Sequence, residues 1–508
     1  MSRRKTFIIA MFSSVGSQVL TAAVSFVSVS MGLRYFGSER YGIWLVLITM
    51  ITYLNASQFG IGLATSTLIA KANYCSKQQD ILSISFLMLC FIGLIFIILV
   101  FIAGKYPLLW LPILGRTPLS LQQEAVGSAF YMSFLFFMKL PTVAFTSALT
   151  GLQQIHWERI YTLILPAITG FIALLLTIWV KGDLIIFSVF TGIGGLIAGF
   201  IGGGHVLLLH RDLSLKWVIF STHMPLIKLI LHSGWRFFVI GLAAMIVWNT
   251  DNLVINYFMG PQYVSAYAIT FKLFSLAYSI LFMINSVLWP MYGKALVNDD
   301  WGWLKSIYDT VTMTLPIVGG LIWIGGILFA HEIIQLWVGP AGYGGPLVVF
   351  AFGGYGYLVS LNSIHSGLLS GMNATANLLK IGILEAVANL GLSLLLVNLI
   401  GVAGAALGTF LSALVTVTWL LPCDISHQTN NKVSFDWKQL FKHTLIAVIP
   451  FVVLSLLFNG YSTGGWSGQL FKILIIVSYL IISCIIMPKK ILFLIKGNWQ
   501  TMKPVSLQ

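Results

Sequence analysis

The chain has 508 residues, 58% of them apolar and only 8% Asp, Glu, Lys or Arg, with a formal net charge of +14. A soluble globular domain carries roughly 25% charged residues, so this composition excludes one. The intervals between apolar runs are too short to bury a core of their own, and the positive charge sits in those intervals, which fits a membrane-surface role and argues against nucleic-acid binding.

The apolar runs are about 18–25 residues long, enough for a helix to cross a hydrocarbon layer of roughly 30 Å. Only helices or closed barrels satisfy their backbone there. Runs such as 81–103 lack the period-2 alternation of a barrel strand. The fold class is therefore an all-α polytopic membrane protein. Fourteen spans are read at 7–32, 42–70, 81–103, 124–148, 160–180, 184–209, 226–256, 264–293, 306–330, 346–370, 377–399, 402–422, 441–458 and 469–487. The first follows MSRRK and outlasts the apolar core of a signal peptide, so it reads as a retained helix. The short breaks at Lys181–Asp183 and Ile400–Val402 read as tight turns. Pro141, Pro166, Pro290, Pro316 and Pro450 interrupt helical runs. Trp110, Trp179, Trp289, Trp337 and Trp466 fall near span ends, as interfacial belts do. Gly195 and Gly199 in the sixth span make a small-xxx-small pair suited to close helix packing.

Lys and Arg fall unevenly on the alternate loops of this arrangement. With the N-terminus inside, nineteen of the 28 lie on cytoplasmic segments or the span ends next to them, six on the outer side, and three deep within spans. The asymmetry supports fourteen spans with both termini cytoplasmic.

The chain repeats at an offset of about 220 residues. The turn Tyr35–Trp44 (YFGSERYGIW) is matched by Tyr257–Tyr267 (YFMGPQYVSAY). Gly151–Gln153 is matched by Gly371–Asn373, each read as opening the fifth helix of its half. Internal repeats characterise transporters, whose sites lie between the halves near the midplane. The organisation expected is two six-helix bundles, 1–210 and 211–422, followed at 423–508 by two extra transmembrane helices and a cytoplasmic tail.

Three of the rare charges lie inside apolar runs: Lys139, Arg236 and Lys272. An ionisable group at membrane depth costs roughly 2.5–3.5 kcal/mol on insertion scales, so it usually faces a cavity or a partner. Three deep cations suggest a chamber for an anionic substrate, with Arg236 offering a bidentate fork for phosphate. Snorkelling, or pairing with Glu385 or Asp251, is the structural alternative. Glu385 reads as the one carboxylate clearly at membrane depth. It is either a proton carrier or the partner of a deep cation, and the charge balance favours the partner role. Asp251 near the outer end of the seventh span reads as an interfacial cap or a second ion-coupling candidate. His205 and His365 read as packed or hydrogen-bonded, not titrating.

The stretches Gly32–Trp44, Gln58–Gly62, Gly151–Gln153, Ile333–Gly339 and Gly367–Asn373 resemble the polysaccharide flippases of the Wzx type. That family lies within the multidrug, oligosaccharidyl-lipid and polysaccharide exporter superfamily. The resemblance implies two six-helix bundles in a pseudo-symmetric V around a cationic cavity, in the bacterial cytoplasmic (inner) membrane. It implies movement of an undecaprenyl-pyrophosphate-linked oligosaccharide, an O-antigen or other polysaccharide repeat unit of lipopolysaccharide type, from the inner to the outer leaflet by alternating access. Expected partners are that lipid-linked oligosaccharide, membrane lipids, and a polysaccharide polymerase with other assembly proteins. Many relatives carry an acid where Gln58 stands, so ion coupling at that position is not carried over.

A cation-coupled multidrug exporter of the same superfamily is the alternative. Exporters of cationic drugs want acidic chambers, and three deep cations against one deep carboxylate point the other way. An enzyme would need a paired-carboxylate site on a sizeable loop. The pair Asp299–Asp300 sits in a loop of about ten residues and reads as solvated. No GxxxxGK[ST] motif occurs. The four cysteines, Cys75, Cys90, Cys423 and Cys484, have no metal-ligand spacing. Neither a metal nor another cofactor is expected, and the sugar and coupling ion stay open.

Overall fold

The structure is a computed structural model and describes residues 3–72, 75–210, 213–216, 223–372, 374–438, 440–441, 445 and 466–486. The described chain is helical throughout its long elements. These are α1 (Arg3–Leu54), α2 (Ile61–Lys71), α3 (Cys75–Lys105), α4 (Leu119–Lys139), α5 (Val143–Gly151), α6 (Leu165–Trp179), α7 (Leu184–Leu209) and α8 (Met224–Phe258). They continue as α9 (Pro261–Val297), α10 (Trp301–Val338), α11 (Pro346–Gly371), α12 (Thr375–Ile400), α13 (Val402–Val415), α14 (Val417–Gln428) and α15 (Trp466–Ile486). Among the described residues, ten helical stretches are long and apolar enough to cross a membrane. Their exposed faces carry Leu, Ile, Val and Phe side chains, such as Leu94, Phe200 and Val387, which suit hydrocarbon and not water. The thirteenth expected span, at 441–458, and the loop 461–465 lie outside the described residues.

Several helices are broken where the residues demand it. α1 covers the first span and the first part of the second, and Gly37 (φ 72°, ψ 173°) divides it. Only glycine enters that backbone region cheaply. The second span breaks again below α1. Residues Asn55–Gln58 form a 3-10 turn, and Phe59 (φ 47°) and Gly60 (φ 72°) turn left-handed before α2 begins. The fourth span is α4 and α5 joined by the 3-10 turn Leu140–Thr142, where Pro141 supplies no backbone N–H. The fifth begins with the short helix Ile155–Arg159 and a π-helical turn, Ile160–Ile164, ahead of Pro166 in α6. Pro316 sits inside the continuous α10.

Both short breaks are turns. Asp183 Oδ1 accepts from Ile186 N at 3.0 Å and so caps α7, after Lys181 at φ 54°. Around Gly401 (φ 67°), Ser393 Oγ lies 3.5 Å from the Ala405 carbonyl and Asn389 Nδ2 donates to Thr409 Oγ1 at 3.0 Å. A Cβ on Gly404 would meet Leu396 backbone at 2.2 Å. Contacts converging on residue 401 define an antiparallel helical hairpin. Gly151 and Gly371 close α5 and α11 instead of opening the fifth helix of each half. Each ends there because the backbone runs against a neighbour: a Cβ on Gly151 would lie 2.7 Å from Ser66 O, and one on Gly371 3.1 Å from Gly293 N. Asn373 falls outside the described residues.

The described chain divides into two compact units. The first comprises Met1–Ile269 with Ile334–Gly344 and Ser393–Ala405; the second comprises Thr270–Ile333, Gly345–Leu392 and Ala406–Gln508. In the first unit, α4, α5 and α7 pack through small residues. A Cβ on Gly192 would lie 2.5 Å from Leu135, one on Gly199 2.5 Å from Thr142 Oγ1, and one on Gly203 2.9 Å from Phe145. Such contact brings backbones close enough for dispersion forces to hold helices together in lipid. Glu124 ties three helices, taking Arg40 at 2.9 Å and the α7 backbone at Leu184 N at 2.9 Å. In the second unit, α15 docks on α10. Tyr479 donates to the Ile317 carbonyl at 2.9 Å, Ile475 packs on Ile324, and Lys472 pairs with Glu332.

Two tryptophans assigned to interfacial belts are instead structural. Trp337 is buried, stacks on Phe26 at 4.1 Å and donates Nε1 to the Phe26 carbonyl at 2.8 Å. Trp110 is buried and donates to Ala103 O at 3.0 Å. Trp179 and Trp289 are exposed as a belt requires. Trp466 starts α15, but its side chain is outside the described set.

Candidate functional site

Lys139 ends α4, one residue before the 3-10 turn. The last carbonyls of a helix favour a cation, which gives this lysine a local electrostatic reason to stand there. Its amine lies against α7 where Gly195 leaves room: a Cβ on Gly195 would be 3.9 Å from Nζ. Gly199 thus serves packing, while Gly195 admits the lysine. Among the described residues no carboxylate pairs with Lys139.

Lys272 sits in α9, in the second unit, next to Phe271, whose ring packs on Phe352 at 5.2 Å. It too has no ion-pair partner among the described residues. Glu385, in α12, is partly buried between the exposed Leu384 and Val387. No described cation pairs with it, Lys272 included. Arg236 lies on α8, but its side chain falls outside the described set. Its helix is held against the broken second span by backbone contact: a Cβ on Gly60 would lie 2.1 Å from Gly234 O.

Asp251 is the surprise of the first unit. It is 6% exposed and lies two turns before the end of α8. Its carboxylate accepts from Tyr267 Oη at 2.5 Å and Ser393 Oγ at 2.8 Å. Beside it, Asn252 Nδ2 donates to Thr49 Oγ1 at 3.0 Å, and Tyr53 Oη donates to Met245 O at 3.2 Å and bonds Thr250 Oγ1. Where the interfacial-cap reading expects a carboxylate at a helix end, the structure has a deeply buried one that hydroxyls from two other helices hold. The sequence showed no reason to choose it over Glu385, because Ser393 and Tyr267 are distant in the chain.

Both histidines noted in the sequence are hydrogen-bonded. His365 is fully buried with Nδ1 2.9 Å from Tyr308 Oη, and His205 Nδ1 is 2.9 Å from Tyr161 Oη. The broken second span was missed altogether. Its signal was Phe59-Gly60 in mid-run, with Asn55 Oδ1 accepting from Gln58 Nε2 at 3.2 Å and Ser57 buried. Discontinuous helices of this sort recur at transporter sites.

A family model described as "Polysaccharide biosynthesis protein" matches residues 9–296, more than half of the chain. The chain belongs to that polysaccharide biosynthesis family. Its relatives include a provisionally named O-antigen transporter of Salmonella typhimurium, 24% identical over 425 residues that cover 81% of this chain and 94% of that one. Another, from Salmonella typhi, is 22% identical over 63% of this chain and 72% of that one. Among solved structures, the lipid II flippase MurJ in an inward closed conformation superimposes with a TM-score of 0.74. It is 16% identical, with 94% of this chain and 98% of that one covered. An inward-facing multidrug resistance MATE family transporter of the MOP superfamily gives 0.66 at 16% identity, covering 81% and 95%. At such identities these likenesses establish the fold. The polysaccharide biosynthesis family member is thus a multi-pass helical membrane protein, and the relatives and structures it resembles are named as transporters and flippases.

Proposed function

We propose that the protein flips an undecaprenyl-pyrophosphate-linked oligosaccharide, an O-antigen or other polysaccharide repeat unit, from the inner to the outer leaflet of the bacterial inner membrane by alternating access. The observation that carries this reading is the unpaired state of Lys139 and Lys272 among the described residues. An apolar bundle keeps an uncompensated ammonium group at depth only at a cost of a few kcal/mol. An anionic cargo lowers that cost at each passage. With Arg236, which forks onto phosphate, these residues form the cationic path for the pyrophosphate and any acidic sugars. The O-antigen relatives and the polysaccharide family model support the cargo class.

Asp251 is the better candidate for ion coupling. Its carboxylate is assembled from three helices, so binding a proton or a small cation there changes how α8, α9 and α12 hold together. Glu385 serves as a second titratable group. Polymerase and other assembly proteins are the partners proposed on the outer side. The decisive test is Lys272→Ala and Arg236→Ala at matched protein abundance. Loss of surface polysaccharide supports the cationic path; full activity of both variants removes it.

A further inference from the structure

One end of the first unit carries a cluster of flat rings and hydrogen-bond donors in which Tyr161 packs against α7 while Trp157 and Gln154 are only partly covered. It is built from two segments, Gln154–Tyr161 and the end of α7 from His205 to His210. The π-helical turn Ile160–Ile164, a form concentrated at functional sites, follows Trp157 and includes Tyr161. Trp157 is 37% exposed and lies 4.5 Å from the His205 ring; Tyr161 stacks nearly parallel to Trp157 at 6.2 Å. The His156 ring lies 5.6 Å from that of Trp157.

The hydrogen bonds leave two donors turned to spare. Tyr161 Oη and His205 Nδ1 lie 2.9 Å apart, and the phenol, a better donor than an imidazole N–H, donates in the Nε2–H tautomer. In that tautomer Nε2 is a donor, and it has no hydrogen-bond partner among the described residues. His210 Nε2 lies 3.1 Å from Gln154 Oε1, a carbonyl oxygen that can only accept, so the Gln154 amide N–H groups are also available. Glu158 and Arg159 flank the cluster, 3.6 Å apart. Hydrocarbon solvates none of these polar groups, so the cluster belongs at headgroup or water level. The charge bias of the loops, read by the inside-positive rule, puts this end with Arg159 on the cytoplasmic side, where a lipid-linked cargo would be loaded.

An aromatic face beside oriented imidazole and amide donors matches the two surfaces of a pyranose ring: C–H groups on the flat face and hydroxyls around the edge. We propose that Trp157, His205 and Gln154 form a sugar-ring subsite at the inner mouth, with Trp157 stacking one ring and the two side chains donating to its hydroxyls. The proposal rests on the flippase reading and adds to it where the first sugars are recognised. A phospholipid headgroup is the competing occupant, and the test separates the two.

The purified full chain is titrated with two probes: lipid-linked oligosaccharide extracted from the source organism's membranes, and undecaprenyl pyrophosphate without sugar. Trp157→Ala is expected to weaken binding of the sugar-bearing lipid about three- to tenfold and to leave the bare lipid unchanged. Trp157→Phe retains most of the affinity. Gln154→Leu, which leaves the aromatic face intact, loses affinity for the sugar-bearing lipid alone. Trp179→Ala, on an exposed tryptophan at the far end of the same span, changes neither. Equal losses on both lipids mean a headgroup site and overturn the proposal, as does unchanged binding by folded Trp157→Ala and Gln154→Leu proteins. Wild-type protein that binds both lipids equally defeats the subsite while leaving the flippase reading standing. Wild-type protein that binds neither defeats both.

Discussion

Ser265 Oγ donates to the Ser38 carbonyl across 2.6 Å, and so joins the two turns whose sequences resemble one another. The turn at Tyr35–Trp44 and its counterpart at Tyr257–Tyr267 dock directly. A Cβ on Gly42 of the first would fall 1.8 Å from the Pro261 carbonyl of the second. The two similar turns are thus in direct contact. Ser30 Oγ extends the same end of the unit by donating to Trp337 O at 2.8 Å.

Gly42→Ala tests how tightly those turns are fitted. Backbone faces backbone there, and neither side can give way as a flexible side chain would. Overpacking of this kind costs about 1–3 kcal/mol. The melting temperature of the purified variant should fall by several degrees. Gly16→Ala, with nothing near its Cβ, is the matched control and should melt with the wild type.

The cationic path predicts graded effects. Lys272→Ala should abolish or strongly reduce surface polysaccharide at normal abundance, and Lys139→Ala should impair it. Arg236→Lys should recover only part of the activity, since an ammonium group cannot form the bidentate fork. Recovery of full export by the lysine variant would argue that charge alone matters at this position.

Glu385 has no described cation to balance, so Glu385→Gln breaks no visible ion pair. The loss of about 3–5 kcal/mol that follows from breaking a buried pair is not expected. Abundance and melting should stay near wild type. A collapse in abundance, rescued by neutralising Arg236, would instead establish the pairing role that charge balance in the sequence favours.

Asp251→Asn removes one of the two acceptor oxygens that Tyr267 and Ser393 use. An unsatisfied buried donor costs about 1–3 kcal/mol, so the variant should be less stable but folded. If the carboxylate couples export to an ion gradient, export in reconstituted vesicles should lose its dependence on that gradient. Gradient-driven export at the wild-type rate would take Asp251 out of the coupling step.

Topology is checked by single cysteines read with a membrane-impermeant thiol reagent in intact cells, after replacement of the native four. Positions in Arg211–Lys216 and Asn430–Lys442 should be protected, and Ser462 within Tyr461–Gly465 should label. The reverse pattern would invert the orientation.

The spans themselves were legible in the sequence because a bilayer imposes length and hydropathy locally. α7 covers 184–209, the residues its apolar run marked, and Gly401 turns where a lone glycine separated two runs. Glycine spacing likewise announced the close approach at Gly199. What the tertiary structure decided are relations between distant residues. Trp337 and Trp110 look like belt residues by position, yet a backbone carbonyl takes each indole N–H and buries it. Asp251 looks like a cap until Tyr267 and Ser393 arrive from other helices to hold it. Composition announces that Lys139 and Lys272 are rare and deep, but only packing shows that no described carboxylate meets them. Hydrophobicity is a property of each segment alone, whereas pairing depends on which segments the fold brings within hydrogen-bond reach, a few ångströms that no local pattern encodes.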